Sequence, residues 1–289
     1  MNRSYLFVPG DSERKLAKAT DAGADALILD LEDSVAGDAR PAARERVREY
    51  LEGKDNIWVR INPIGTDDAE HDLRAIMRSA PAGIVLPKPK SAADVETLAG
   101  KLDYFENEHG IQAGRTAIMA LCTELPVALF SLGDYARATP RLAALSWGAE
   151  DLSTALGAAC NRDETGNWLP PYELARSLCL FAAAAAEVAA VDTVYTDFRD
   201  PEGLSRYAAN ARRDGFSGML AIHPVQVDTI NAAFIPTTAE IERAKRIVRL
   251  FAENPDAGTL GMDGRMVDRP HLIQAERILE LAGKCTASS

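Results

Sequence analysis

Three acids fall within four residues at the end of a short apolar run, Ala26-Leu27-Ile28-Leu29-Asp30-Leu31-Glu32-Asp33. A buried strand that delivers carboxylates to its carboxyl end is how an α/β barrel builds a cation-binding mouth. A solvated acidic loop is the plainer reading. Other apolar runs end in groups that could join this set: Arg60 and Asn62, Lys88, Glu124, Glu150 and Asp151, Asp197, and His223. Several acids facing one arginine and one lysine suit a divalent cation together with an anionic substrate. No cluster of Cys or His competes for the cation, so it would be hard and oxygen-seeking. Magnesium is held by one or two protein carboxylates, with substrate and water completing its shell. Glu124 and Asp151, from different strands, would meet that need, and Asp30, Glu32 and Asp33 would order the ion's waters from one layer out.

Each of these residues also has a structural reading. Glu124 could be a helix N-terminal acid ahead of Pro126, and Asp151 a cap for a short helix from Leu152 to Leu156. Arg60 ends the strand Trp58-Val59-Arg60-Ile61-Asn62. Alternation puts Trp58 and Arg60 on one face, and an inward guanidinium suits bidentate capture of a carboxylate or keto acid. An internal salt bridge to the acids after Leu29 is the other reading, and the two roles are compatible.

Positioning such groups requires strands, and the chain offers eight. They are expected at Ser4 to Val8, Ala26 to Leu31, Ile57 to Asn62, Gly83 to Pro87, Thr116 to Leu121, Leu142 to Trp147, Asp192 to Tyr195 and Gly218 to Ile222. A helical stretch follows each, including one expected from Val127 to Ala136 and one running through Ala189. Alternation of this kind implies parallel pairing with right-handed crossovers, and eight units close an α/β (β/α)8 TIM barrel over residues 1–235. Residues 236–289 hold a helix from Thr238 to Ala252, a Gly-rich turn at Gly258 to Gly264 and a last helix from Arg269 to Ala282. They are expected to form a C-terminal helical extension without a core of its own, with a frayed tail from Thr286 to Ser289.

The bulk composition narrows the function. Among 289 residues the net charge is −11, which argues against nonspecific nucleic-acid binding. The four cysteines, Cys122, Cys160, Cys179 and Cys285, form no Cys-x-x-Cys pair. They fit a reduced, cytoplasmic protein. No leader is read at the N-terminus, and the apolar run Leu178 to Ala186 is too short to span a bilayer.

Taken in order, Leu6-Phe7-Val8-Pro9-Gly10, Leu29-Asp30-Leu31-Glu32-Asp33-Ser34-Val35, Val59-Arg60-Ile61-Asn62, Leu86-Pro87-Lys88, Gly148-Ala149-Glu150-Asp151 and Ile222-His223-Pro224 carry a resemblance. The chain resembles the citrate lyase β-subunit-like family of the HpcH/HpaI aldolase superfamily, which includes malyl-CoA and citramalyl-CoA lyases. The match covers nearly the whole chain. It implies the same barrel, Arg60 on the substrate's carboxylate or keto-acid end, and Glu124 and Asp151 on magnesium, with Glu124 also touching substrate. The fifth-strand end, Cys122-Thr123-Glu124-Leu125, departs from the family's usual Glu-Ser or Glu-Thr but keeps the acid.

Gly264-Arg265-Met266-Val267-Asp268-Arg269-Pro270 resembles the lid of the CoA-thioester lyases. There the acid at the Asp268 position completes a neighbouring subunit's site, which implies a homo-oligomer, a trimer by resemblance. An N-cap of the last helix is the alternative for Asp268. The reaction implied is cleavage or formation of a 3-hydroxyacyl-CoA, with Arg14, Lys15, Lys18 and Lys88 as candidates for CoA phosphates, although the first three read more readily as solvated charges on a helix face. The rival readings are a metal-dependent aldolase on free keto acids, a citrate lyase β subunit acting on an acyl-carrier-protein thioester, and a silent acyl-CoA binder.

Overall fold

The computed structural model describes residues 2–287. The expected barrel is present. Its strands are β1 (Ser4–Pro9), β2 (Ala26–Asp30), β3 (Ile57–Arg60), β4 (Gly83–Leu86), β5 (Ala117–Leu121), β6 (Leu142–Ser146), β7 (Ala189–Asp192) and β8 (Gly218–Ala221). All neighbours pair in parallel, and β1 closes on β8. The helices between them are α1 (Glu13–Ala19), α2 (Arg40–Leu51), α3 (Asp67–Ile76), α4 (Ala92–His109), α5 (Ala149–Leu156), α6 (Pro170–Ala185), α7 (Pro201–Asp214) and α8 (Val227–Ala233).

Inward side chains of alternate residues fill the barrel. Tyr5, Ile28, Trp58, Val85, Met119, Ala144, Val191 and Leu220 form one apolar cluster. Gly83 is required there, because a Cβ would lie 2.2 Å from the Trp58 ring. The register places Asp30 opposite Arg60 on the next strand. Both point inward one layer above Ile28 and Trp58, where the apolar filling gives way to charge.

Three expectations on element boundaries are corrected. The seventh strand lies at Ala189–Asp192, ahead of the expected Asp192 to Tyr195. The alanine run suits helix and strand alike, and α6 stops at Ala185. Glu187, with a left-handed φ of 55°, turns the chain into the strand. The helix expected from Val127 to Ala136 is two 3-10 segments, Pro126–Phe130 and Leu132–Arg137, separated at Ser131. Asp151 lies in the first turn of α5, whose N-cap position is Gly148, so Asp151 is not a cap.

The chain divides into two compact units, with the boundary after Asn231. The C-terminal unit contains α9 (Thr238–Glu253), β9 (Thr259–Met262), β10 (Arg265–Asp268) and α10 (Arg269–Ala287). The expected Gly-rich turn is an antiparallel hairpin, with Asp263 and Gly264 both at positive φ in its two-residue turn. The unit has an apolar cluster of its own, Ala244, Ile247, Phe251, Met262, Val267 and Ala275, contrary to the sequence expectation. Of the expected tail, positions 286 and 287 belong to α10, and 288–289 lie outside the described residues. No described helix is long and apolar enough to cross a membrane.

Candidate active site at the barrel mouth

Arg60 is the centre of the mouth. Its Nε and Nη2 donate to the two oxygens of Asp30 at 2.7 and 2.6 Å, a bidentate pair across adjacent strands. The guanidinium also sits 4.9 Å from the Phe7 ring centroid. Burial would raise the Asp30 carboxyl, but the Arg60 hydrogen bonds outweigh it and hold the group below the usual carboxylate range. Burial likewise works against the charge on Arg60, and Asp30 overrides it, so Arg60 is held more basic than usual. Asp30 also accepts the backbone N–H of Glu32 and of Ser34, at 3.0 and 3.2 Å. Those bonds curl the loop after β2 back over the strand end. With both oxygens engaged, Asp30 anchors Arg60 and the loop.

Glu32 is buried and lies 2.9 Å from Arg60 Nη1 through its Oε2. That oxygen has no hydrogen-bond partner among the described residues. Burial pushes the Glu32 carboxyl up to about 7, against the pull of Arg60 and Lys88. Lys88 Nζ reaches Glu32 Oε1 at 2.5 Å, Asp33 Oδ1 at 3.0 Å and Asp151 Oδ1 at 3.3 Å. Burial disfavours its charge, but Glu32 outweighs that and holds it more basic than usual.

The backbone of Lys88 serves a different acid. With φ at 51°, its N–H donates to Glu124 Oε2 at 2.6 Å. Glu124 is 2% exposed, so it is not a solvated helix-end acid. Burial, reinforced by repulsion from Asp151, lifts its carboxyl well above the usual range. Gly148 makes room for it: a Cβ there would stand 2.5 Å from Glu124 Cγ. The Gly148 N–H donates to Thr123 Oγ1 at 3.3 Å, tying the β5 and β6 ends together.

The mouth therefore brings together Asp30, Glu32, Asp33, Arg60, Lys88, Glu124 and Asp151. Of the other groups expected there, Asn62, Glu150 and Asp197 are engaged elsewhere, and His223 stays at the rim. Asn62 is buried against Asp72 and Leu31 O, at 2.8 and 2.9 Å. Glu150 accepts from Asn161 at 2.9 Å, and Asp197 accepts the N–H of Arg199 at 3.0 Å. His223 stacks on Phe198 with ring centroids 4.8 Å apart. Asp268 belongs to the C-terminal unit, at the end of β10, where it contacts His271.

A cavity of about 600 Å³ opens beside Arg60 and Asp30 and runs past Phe7 to Arg14, Lys15 and Lys18 of α1. His223 lines it too, whereas Glu124 and Asp151 do not. Sequence reasoning missed Gly148 and the Lys88 amide. The flanking prolines of Pro87-Lys88-Pro89 were the available signal for an unusual backbone.

The mouth fits a hard divalent ion. Five carboxyl groups face two cations, Glu32 Oε2 is ion-paired with Arg60 but makes no hydrogen bond, and Glu124 is lifted by burial and by its acid neighbour Asp151. No group of three or more potential metal-ligating side chains occurs among the described residues. Two carboxylates are a usual protein share for magnesium.

A closed barrel with an arginine and paired carboxylates at its carboxyl-end mouth defines a TIM-barrel enzyme of the metal-and-carboxylate class. The chain belongs to the HpcH/HpaI aldolase/citrate lyase family, whose model matches residues 3–224. It is 36% identical over 283 residues to a citrate lyase subunit beta-like protein of Mycobacterium tuberculosis, covering 98% of this chain and 96% of that one. It is 35% identical to a (3S)-malyl-CoA thioesterase of Cereibacter sphaeroides, covering 97% and 94%. Among solved structures, M. tuberculosis CitE with magnesium, acetoacetate and coenzyme A superposes with a TM-score of 0.81 at 34% identity, covering 97% and 98%.

Proposed function

We propose that this chain is a magnesium-dependent carbon–carbon lyase that cleaves, or forms, a 3-hydroxyacyl-CoA of the citramalyl-CoA or malyl-CoA kind. The products of cleavage are an acyl-CoA such as acetyl-CoA and a 2-keto acid. The observation that carries this reading is the cavity joining Arg60 to Arg14, Lys15 and Lys18. It offers a cation to an anion at each end of an elongated ligand. A free keto acid needs only the Arg60 end. The M. tuberculosis CitE complex, which contains magnesium, acetoacetate and coenzyme A, supports the same assignment.

In this reading Glu124 and Asp151 hold the ion, and Glu32 and Asp33 order its waters. When bound, magnesium supplies Lewis-acid polarisation of the substrate's oxygens and a template for its carboxylate. Arg60, immobilised by Asp30, keeps N–H groups beyond those engaged by Asp30, and these neutralise the keto-acid carboxylate. The Phe7 ring packs on the Arg60 guanidinium with its centroid 4.9 Å away and helps hold it in place. Asp268 exchanges the proton at the carbon next to the thioester. Residues 1–235 form the catalytic barrel, and residues 236–289 form a lid that acts on a neighbouring subunit within a homotrimer. A cytoplasmic setting fits the free Cys122, Cys160 and Cys179.

The test is a panel assay with magnesium on citramalyl-CoA, malyl-CoA, 3-hydroxy-3-methylglutaryl-CoA and citrate, following released acetyl-CoA or keto acid. Turnover of one thioester, lost in Glu124→Ala and in Asp151→Ala with the circular dichroism spectrum unchanged, is expected. Turnover of free keto-acid substrates alone would favour the aldolase reading. Activity only on an acyl-carrier-protein thioester would favour a citrate lyase subunit.

A further inference from the structure

Asp268 and His271 lie on either side of the junction between β10 and α10. His271 Nδ1 is 2.5 Å from Asp268 Oδ1 and 3.2 Å from the Asp268 backbone nitrogen. The carboxyl and the ring are 29% and 40% exposed, so both are open to water in the C-terminal unit. A ring nitrogen cannot donate and accept at once. An unprotonated Nδ1 accepts the Asp268 N–H. A protonated Nδ1 donates to the carboxylate. An N-cap would instead set a carboxyl oxygen on a backbone N–H of the first turn of α10. Among the described residues the Asp268 carboxyl makes no such bond.

We propose that His271 is the positioning residue of Asp268: it holds the carboxyl in one orientation and shares the proton that Asp268 exchanges with substrate. This rests on the reading of Asp268 as the acid–base group. In the cleavage direction the carbon–carbon bond breaks, and its electron pair passes into the thioester enolate. The substrate's hydroxyl passes its proton to water and becomes the keto oxygen. The enolate carbon takes its proton from Asp268. The carboxylate left behind regains a proton from water, and with it the hydrogen bond to the His271 ring. Formation runs the same transfers backwards.

The test uses the full-length protein and the thioester that the wild type turns over. His271→Ala is expected to lower kcat about 10- to 100-fold while KM stays within about twofold. Asp268→Ala should be slower still, and the double variant no slower than Asp268→Ala, because the two groups act as one unit. His271→Asn, which retains an N–H donor near the Nδ1 position, should recover part of kcat, and His271→Leu should not. Independently of turnover, Asp268→Asn should move the His271 ring-nitrogen NMR resonances at one fixed pH, because the Nδ1 contact changes partner chemistry. Full activity in His271→Ala, additive losses in the double variant, or an unmoved imidazole would each overturn the proposal. A fully active Asp268→Ala would instead overturn the role of Asp268 beneath it. Should His271→Ala fail to fold, His271→Asn carries the same double-variant comparison.

Discussion

A methyl group at position 148 has no space, because Glu124 fills it. Gly148→Ala would push the Glu124 carboxylate aside without touching any other proposed ligand. Magnesium affinity, read by titration calorimetry, is expected to fall about 10- to 100-fold while the circular dichroism spectrum is kept. Unchanged affinity would separate Glu124 from the ion. Residues of the mouth were legible in the sequence because charge at the end of an apolar strand has few other places to go. Asp30, Arg60 and Glu124 could be singled out in that way. That Asp30 spends both oxygens on Arg60 and on its own loop was not legible, since it depends on the register between β2 and β3. The space behind Glu124 was hidden as well, because a glycine before a helix usually signals only a backbone preference.

At the scale of elements, period-two alternation located the strands, and failure came where the side chains do not discriminate. The alanines shared by α6 and β7 satisfy either geometry, so the boundary was fixed by tertiary pairing with β6 and β8. The hairpin of β9 and β10 carried a usable sign, Asp263-Gly264 between apolar residues, which suits a two-residue turn. The outer layer is secured by ion pairs that no spacing rule reveals. Glu106 of α4 is buried and accepts the N–H of Gly114 and Thr116 and the guanidinium of Arg141, whose Nη1 lies 2.8 Å away. Burial would raise its carboxyl, but Arg141 and the two amides hold it below the ordinary value. A group depressed in the folded state contributes fully above its unfolded value and loses that contribution as pH falls through its folded value. Glu106→Gln is therefore expected to cost about 3 kcal/mol at neutral pH. The gap from wild type should close below about pH 4. Urea unfolding at both pH values checks this, and a gap independent of pH would refute the ionic account.

For the whole molecule, Asp268 acting on a neighbouring subunit's barrel, as proposed, would set the behaviour of mixed oligomers. Glu124→Ala and Asp268→Ala damage different units of the chain. If the lid acts on a neighbour, mixed oligomers of the two inactive variants contain sites with an intact barrel and an intact lid. Co-expression in equal amounts should then restore about a quarter of wild-type turnover, the chance that a site draws both good halves in a closed ring. Mixtures that stay inactive would assign the lid to its own barrel.

Lys88 has one implication for any mutational map of the mouth. Its ammonium and its amide address different carboxylates, and replacing the side chain removes only the first. An alanine scan would thus underweight this position and credit Glu124 with a stability that the peptide unit between two prolines helps to provide. The hidden share becomes visible only when the flanking residues, Pro87 and Pro89, are altered instead.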